Sequence, residues 1–106
     1  MKRDYEKALR ENGTNNTYNL TSREAEYLAL VAMGFKNIEI AKIFIVSKST
    51  VKKTLENIFI KLLAKDRANA VAIAFLHGIL NNYVLAKTLE KYNLKEINIP
   101  KDANCE

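Results

Sequence analysis

Val51, Leu55, Ile58 and Leu62 are spaced by four, three and four residues, the repeat of a single face of an α-helix, and together they form one continuous seam to be buried. The opposite side of the same segment carries Ser49, Lys52, Lys53 and Glu56. A chain with this pattern must press a helix against something apolar and hold a polar, cationic ridge outward. Weaker helical spacing recurs on both sides of it. Only three glycines and one proline interrupt 106 residues, and long stretches lack any turn pair. The expectation is an all-α chain.

The first clear helix starts at Thr21, because Thr21-Ser22-Arg23-Glu24 is a capping box in which Thr21 and Glu24 each satisfy the other's backbone amide. Tyr27, Leu28, Val31 and Ala32 form its inward stripe, and Gly34 sits where a left-handed cap ends it. Asn37 is the expected N-cap of a second, short helix with Ile40, Ala41 and Phe44 on one face. Ile45 and Val46 follow as an apolar turn, and Ser47 caps the third helix, over about residues 48–62. Asp66, or less favourably Lys65, caps a fourth. Its small residues Ala70, Val71, Ala74 and Gly78 share a narrow face, while Ala72, Ile73, Phe75, Leu76 and Ile79 cover much of the rest. A helix apolar nearly all round must bury two faces. The second face therefore calls for self-association or for cover by residues 81–93, where Leu85, Leu89 and Tyr92 mark one more helical stripe.

Residues 1–12 have weak helical spacing through Tyr5 and Leu9, and residues 13–17 are a turn-rich linker. The expected organisation is an N-terminal segment and linker over 1–19, a helical domain over 20–80, and a C-terminal helix with a frayed tail over 81–106.

The net charge of +5 falls entirely within residues 36–67, which hold eight lysines and arginines against three acids; the rest of the chain carries nine of each sign. A neutral body with a basic helical pair suits a polyanion, and a solvated lysine-rich face has the same composition. The first residues contain no apolar core of a secretory signal, and the longest apolar run, residues 71–80, is about half the ~20 residues needed to span a bilayer. With Cys105 as the single cysteine, no internal disulfide forms, and a reducing cytoplasm is the expected location. Enzymatic chemistry finds no support. The one histidine, His77, falls on the fourth helix as a structural residue, and there is no Cys–His pair, metal-ligand spacing or phosphate-cradling glycine loop. No metal, cofactor, small-molecule ligand or membrane is expected.

Leu20-Thr21-Ser22-Arg23-Glu24, Gly34, Asn37, Glu39-Ile40-Ala41, Ser47, Thr50-Val51-Lys52, Leu55, Asn57-Ile58, Lys61-Leu62, Arg67, Ala70-Val71-Ala72 and His77-Gly78 occur in order and without a gap. Over residues 20–80 this set resembles the LuxR-type (GerE-type) helix-turn-helix domain of bacterial transcription regulators. The resemblance implies a tetrahelical bundle, here with an additional C-terminal helix and a weakly helical N-terminal segment. It implies a sequence-specific double-stranded DNA-binding transcriptional regulator whose third helix enters the major groove. It places Lys52, Lys53 and Glu56 at base edges, beside Ser49 on the same ridge, and the two lysines can donate to guanine O6 and N7. Two uses are open to Glu56: accepting from a cytosine amino group, or staying solvated and repelling phosphate. Phosphate contacts fall to Lys48, Thr50, Lys61 and the start of the second helix at Asn37. The fourth helix implies a homodimer on DNA, through Ala72, Ile73, Phe75 and Leu76, and RNA polymerase is a further partner to consider. Only 19 residues precede the matching region, so the expectation is a stand-alone regulator without a sensor domain.

Three residues depart from the family pattern. Thr54 stands for a common His, Leu63 for the Gly that usually ends the third helix, and Ile60 for a common basic residue. Two other readings compete: a polymerase-associated factor like sigma region four, and a protein-interaction module that kept the fold and lost DNA, which Glu56 and Ile60 favour.

Overall fold

The computed structural model describes residues 18–94. Over them the chain forms five helices: α1 (Ser22–Ala32), α2 (Asn37–Phe44), α3 (Lys48–Leu62), α4 (Arg67–Leu76) and α5 (Asn82–Lys91). The weakly helical stretch and linker expected before residue 18, and the tail beyond residue 94 with Cys105, lie outside the described residues.

Four of the five helices begin on a capping side chain, as short polar residues at those positions require. Thr21 accepts from the amide of Glu24 at 3.1 Å while Glu24 accepts from the amide of Thr21 at 2.8 Å. Ser47, Asp66 and Asn81 accept from the amides of Thr50, Asn69 and Val84. At α2 the expected cap moves by one residue: Lys36, not Asn37, occupies the N-cap. Lysine has no acceptor to offer, so only half of a capping box forms, with Glu39 accepting from the Lys36 amide at 2.8 Å.

All five helices end in the same motif. The residue at C′ has positive φ and donates to the carbonyl three before it, and the next residue donates to the carbonyl five before it, which is the Schellman pattern. The C′ residues are Gly34, Ile45, Leu63, Gly78 and Asn93, with φ of 93, 58, 57, 78 and 60°. Glycine and asparagine adopt this conformation at little cost; isoleucine and leucine do not. The cap that α3 had to build without its usual glycine is thus built on Leu63 itself. Gly78 is corrected from a member of the small α4 face to the turn residue beyond that helix, and His77 to its C-cap. His77 there meets the Tyr18 ring edge to face, centroids 5.2 Å apart.

The core collects the inward residues of every segment. Leu28, Leu30, Ile40, Val51, Ile58, Leu62 and Leu80 are fully buried, each removed from water for about 1.5–3 kcal/mol. α2 lies against α3 across the three-residue turn 45–47, α4 packs on both α1 and α3, and α1 also touches α3. This is the expected tetrahelical bundle. α5 packs on α1, where Glu26 accepts from the Tyr92 hydroxyl and the Lys91 ammonium, both at 2.6 Å. The Tyr92 ring meets Phe44 edge to face at 5.3 Å, and Phe44 meets Tyr27 at 4.6 Å. Burial and the bond to Glu26 both hold the Tyr92 hydroxyl protonated well into the alkaline range. The C-terminal helix therefore does not cover the apolar flank of α4: Phe75 and Leu76 remain 41% and 68% exposed.

Candidate nucleic-acid interface

α3 is set by its seam. Val51, Leu55, Ile58 and Leu62 are buried, which fixes the rotation of the helix and turns Ser49, Lys52, Lys53 and Glu56 outward, all exposed. Among the described residues, none of these three charged side chains enters an ion pair. Their hydrogen-bonding capacity is therefore turned to solvent. Asn57 is exposed on the same helix, four residues beyond Lys53, and belongs to this surface. The sequence reading named it only as a matching position. The seam already held the signal, since residue 57 sits one turn from residue 53 on the polar side.

The start of α3 gathers three hydroxyls beside a lysine. Ser47 accepts from the Thr50 amide at 3.0 Å and donates to Thr50 Oγ1 at 2.8 Å, with Ser49 Oγ 3.1 Å away. These three hydroxyls and exposed Lys48 surround the positive end of the helix dipole, and the first turn contains no acid.

The other expected phosphate ligands fare differently. Asn37 opens α2, and its Oδ1 accepts from Arg67 Nη1 at 2.9 Å while Arg67 Nη2 donates to the Phe35 carbonyl at 2.8 Å. Its side chain is thereby committed to the fold. Lys61 is paired within the fold. Its ammonium donates to both carboxylate oxygens of Glu24 at 3.0 Å and to the Asn19 carbonyl at 3.3 Å, so its charge is spent joining α3 to α1. Burial pushes the Glu24 carboxyl up, but the Thr21 amide and the Lys61 ammonium outweigh it and hold the carboxyl below its ordinary value.

On α4 the four residues expected to pair two copies divide. Ala72, Phe75 and Leu76 are exposed, whereas Ile73 is half-buried against the core. Ile60, which departs from the basic residue common at its position, is 70% exposed. Among the described residues no helix is long and apolar enough to cross a membrane.

The family model of bacterial regulatory proteins, luxR family, matches residues 18–74, from the approach to α1 into α4. Over 61 residues the chain is 44% identical to the response regulator protein VraR of Staphylococcus aureus, and equally to the VraR proteins of Staphylococcus saprophyticus and Staphylococcus epidermidis. The matched region is 58% of this chain and 29% of each relative, so the chain spans under a third of their length. No solved structure matches it.

Proposed function

This chain belongs to the luxR family of bacterial regulatory proteins, and on that premise we propose that it is a non-enzymatic, sequence-specific regulator of transcription that lays α3 in the major groove of double-stranded DNA. One observation carries the reading: the outward ridge of α3 presents Lys52, Lys53 and Glu56, which form no ion pair among the described residues. In the groove, Lys52 and Lys53 donate to guanine O6 and N7, Glu56 accepts a hydrogen bond from the amino group of a cytosine, and Ser49 reaches either kind of edge. Lys48, the Thr50 hydroxyl and the first amides of α2 grip the flanking phosphates and set the register. Two copies pair through Ala72, Phe75 and Leu76 of α4 and read half-sites about 10 bp apart. Such a protein acts in the bacterial cytoplasm, where the DNA is, and meets RNA polymerase there.

A selection from random duplexes, followed by titration of the chosen site at several salt concentrations, tests this. Affinity is expected to fall with a log–log slope of about −0.9 for each phosphate neutralised. Salt-insensitive binding, or enrichment of no sequence, refutes it.

A further inference from the structure

α2 is held to the domain along one face. Ile40, Ala41 and Phe44 are buried, while Ile38 and Lys42 stand outward. Phe44 is the last residue of α2, one before the turn at Ile45 from which α3 departs. Whatever fixes the Phe44 ring therefore fixes the joint between the two helices. That joint needs fixing. Ile45 holds φ at 58°, a left-handed conformation that a β-branched residue keeps only when its surroundings enforce it.

Three side chains from outside the helix pair close around the Phe44 ring. Tyr27 of α1 lies 4.6 Å away, the Arg23 guanidinium sits over the ring at 4.2 Å, and Tyr92 meets it edge to face at 5.3 Å. Tyr92 differs from the others in origin, since it caps α5, beyond the residues 18–74 that match the family model. One carboxylate organises the arrangement. Glu26, with only 14% of its side chain exposed, accepts from the Tyr92 hydroxyl and the Lys91 ammonium at 2.6 Å and lies 3.7 Å from Arg23 Nε. The same acid thus anchors both the aromatic edge and the cation that bracket Phe44. α5 packs on α1, and the Tyr92 ring carries it on to α2.

We propose that Tyr92 is a positioning residue for DNA recognition: by holding Phe44 it fixes the angle at which the ridge of α3 is presented, which makes α5 part of the reading unit. The proposal rests on the DNA-binding reading above. Base edges require side chains placed to within about 0.5 Å, whereas attraction to phosphate carries no sequence information and tolerates displacement. A loosened joint therefore costs discrimination before it costs general affinity.

The test compares the full chain with Tyr92→Ala, Tyr92→Leu and Tyr92→Phe on the selected duplex and a scrambled one, below the unfolding midpoint of each. Tyr92→Ala is expected to lose about tenfold of the preference for the selected duplex, with the scrambled duplex bound as before at the same salt slope. Tyr92→Leu keeps the apolar bulk, so it folds even where the alanine variant does not, and is expected to lose about threefold. Tyr92→Phe keeps the ring against Phe44 and should hold its preference within about twofold, although its unfolding midpoint falls with the bond to Glu26. Amide exchange without DNA gives a second readout. The Val46 amide, which donates to the Ala41 carbonyl at 3.0 Å, should exchange about tenfold faster in Tyr92→Ala, with the amides of α4 unchanged. Wild-type preference in the alanine and leucine variants overturns the proposal. So does equal loss of protection in α2 and α4, which would make Tyr92 an ordinary packing residue. A wild type that prefers neither duplex is a separate result: it removes the DNA-binding reading, and the exchange pattern then upholds or refutes the anchor alone.

Discussion

At the scale of single residues, the helix ends hold the least obvious features of this protein. Gly34, Gly78 and Asn93 take the left-handed C′ position at little cost, whereas Ile45 and Leu63 adopt the same geometry against their side-chain sterics. Leu63 is 84% exposed, so nothing in the core repays its conformation. Leu63→Gly should therefore relieve about 1–2 kcal/mol of strain, less about 0.5–1 kcal/mol for the greater freedom of glycine in the unfolded chain. The expected net gain is about 0.5–1 kcal/mol, measurable by urea unfolding; an unchanged or lower midpoint would contradict it. The residue scale also explains what the sequence could and could not tell. Thr21, Ser47 and Asp66 were legible as caps because their chemistry acts within three residues. Gly34 was legible because glycine announces a left-handed turn. No such residue marks Ile45 or Leu63, whose conformations follow from hydrogen bonds closing the ends of α2 and α3.

At the scale of elements, the rotation of α3 was legible because one seam of four residues fixes it. The join between α3 and α1 was not. Lys61 reads as one more lysine of a basic helix until the fold brings it to Glu24, 37 residues away. The route of α5 was hidden for the same reason, since the bond from Tyr92 to Glu26 spans 66 residues. The Lys61–Glu24 join has a pH signature. The carboxyl of Glu24 is held below its ordinary 4.5 in the folded chain, so its charged form stabilises the fold. That contribution is complete above the ordinary glutamate value and disappears as pH falls through the lower folded value. Thermal unfolding of wild type and Glu24→Gln followed against pH should show the variant about 1 kcal/mol less stable near neutrality. The gap should close in acid. A gap that persists below the carboxylate range would mean that shape, not charge, is what Glu24 contributes.

For the whole molecule, the question is how its surfaces divide. The ridge of α3, the outer face of α2 and the flank of α4 are three separate exposures, and α5 covers none of these, because it lies on α1. The flank of α4 is the one expected to join two copies. Leu76→Asp places a charge at its centre without touching the core, since Leu76 is 68% exposed. We expect the variant to fold normally and to shift from two copies to one on a duplex with two half-sites, with weaker overall affinity, as read by sedimentation of the complex. Two copies bound as tightly as before would place the pairing surface elsewhere. The outward ridge of α3 remains the central claim, and its most direct measurement is an equilibrium titration of wild type and the Lys52→Glu, Lys53→Glu variant against the selected duplex and a scrambled one. The account predicts that the variant loses its preference between the two duplexes, roughly 2 kcal/mol or more of discrimination, while its helicity is unchanged. A variant that still prefers the selected duplex as strongly as wild type would contradict it.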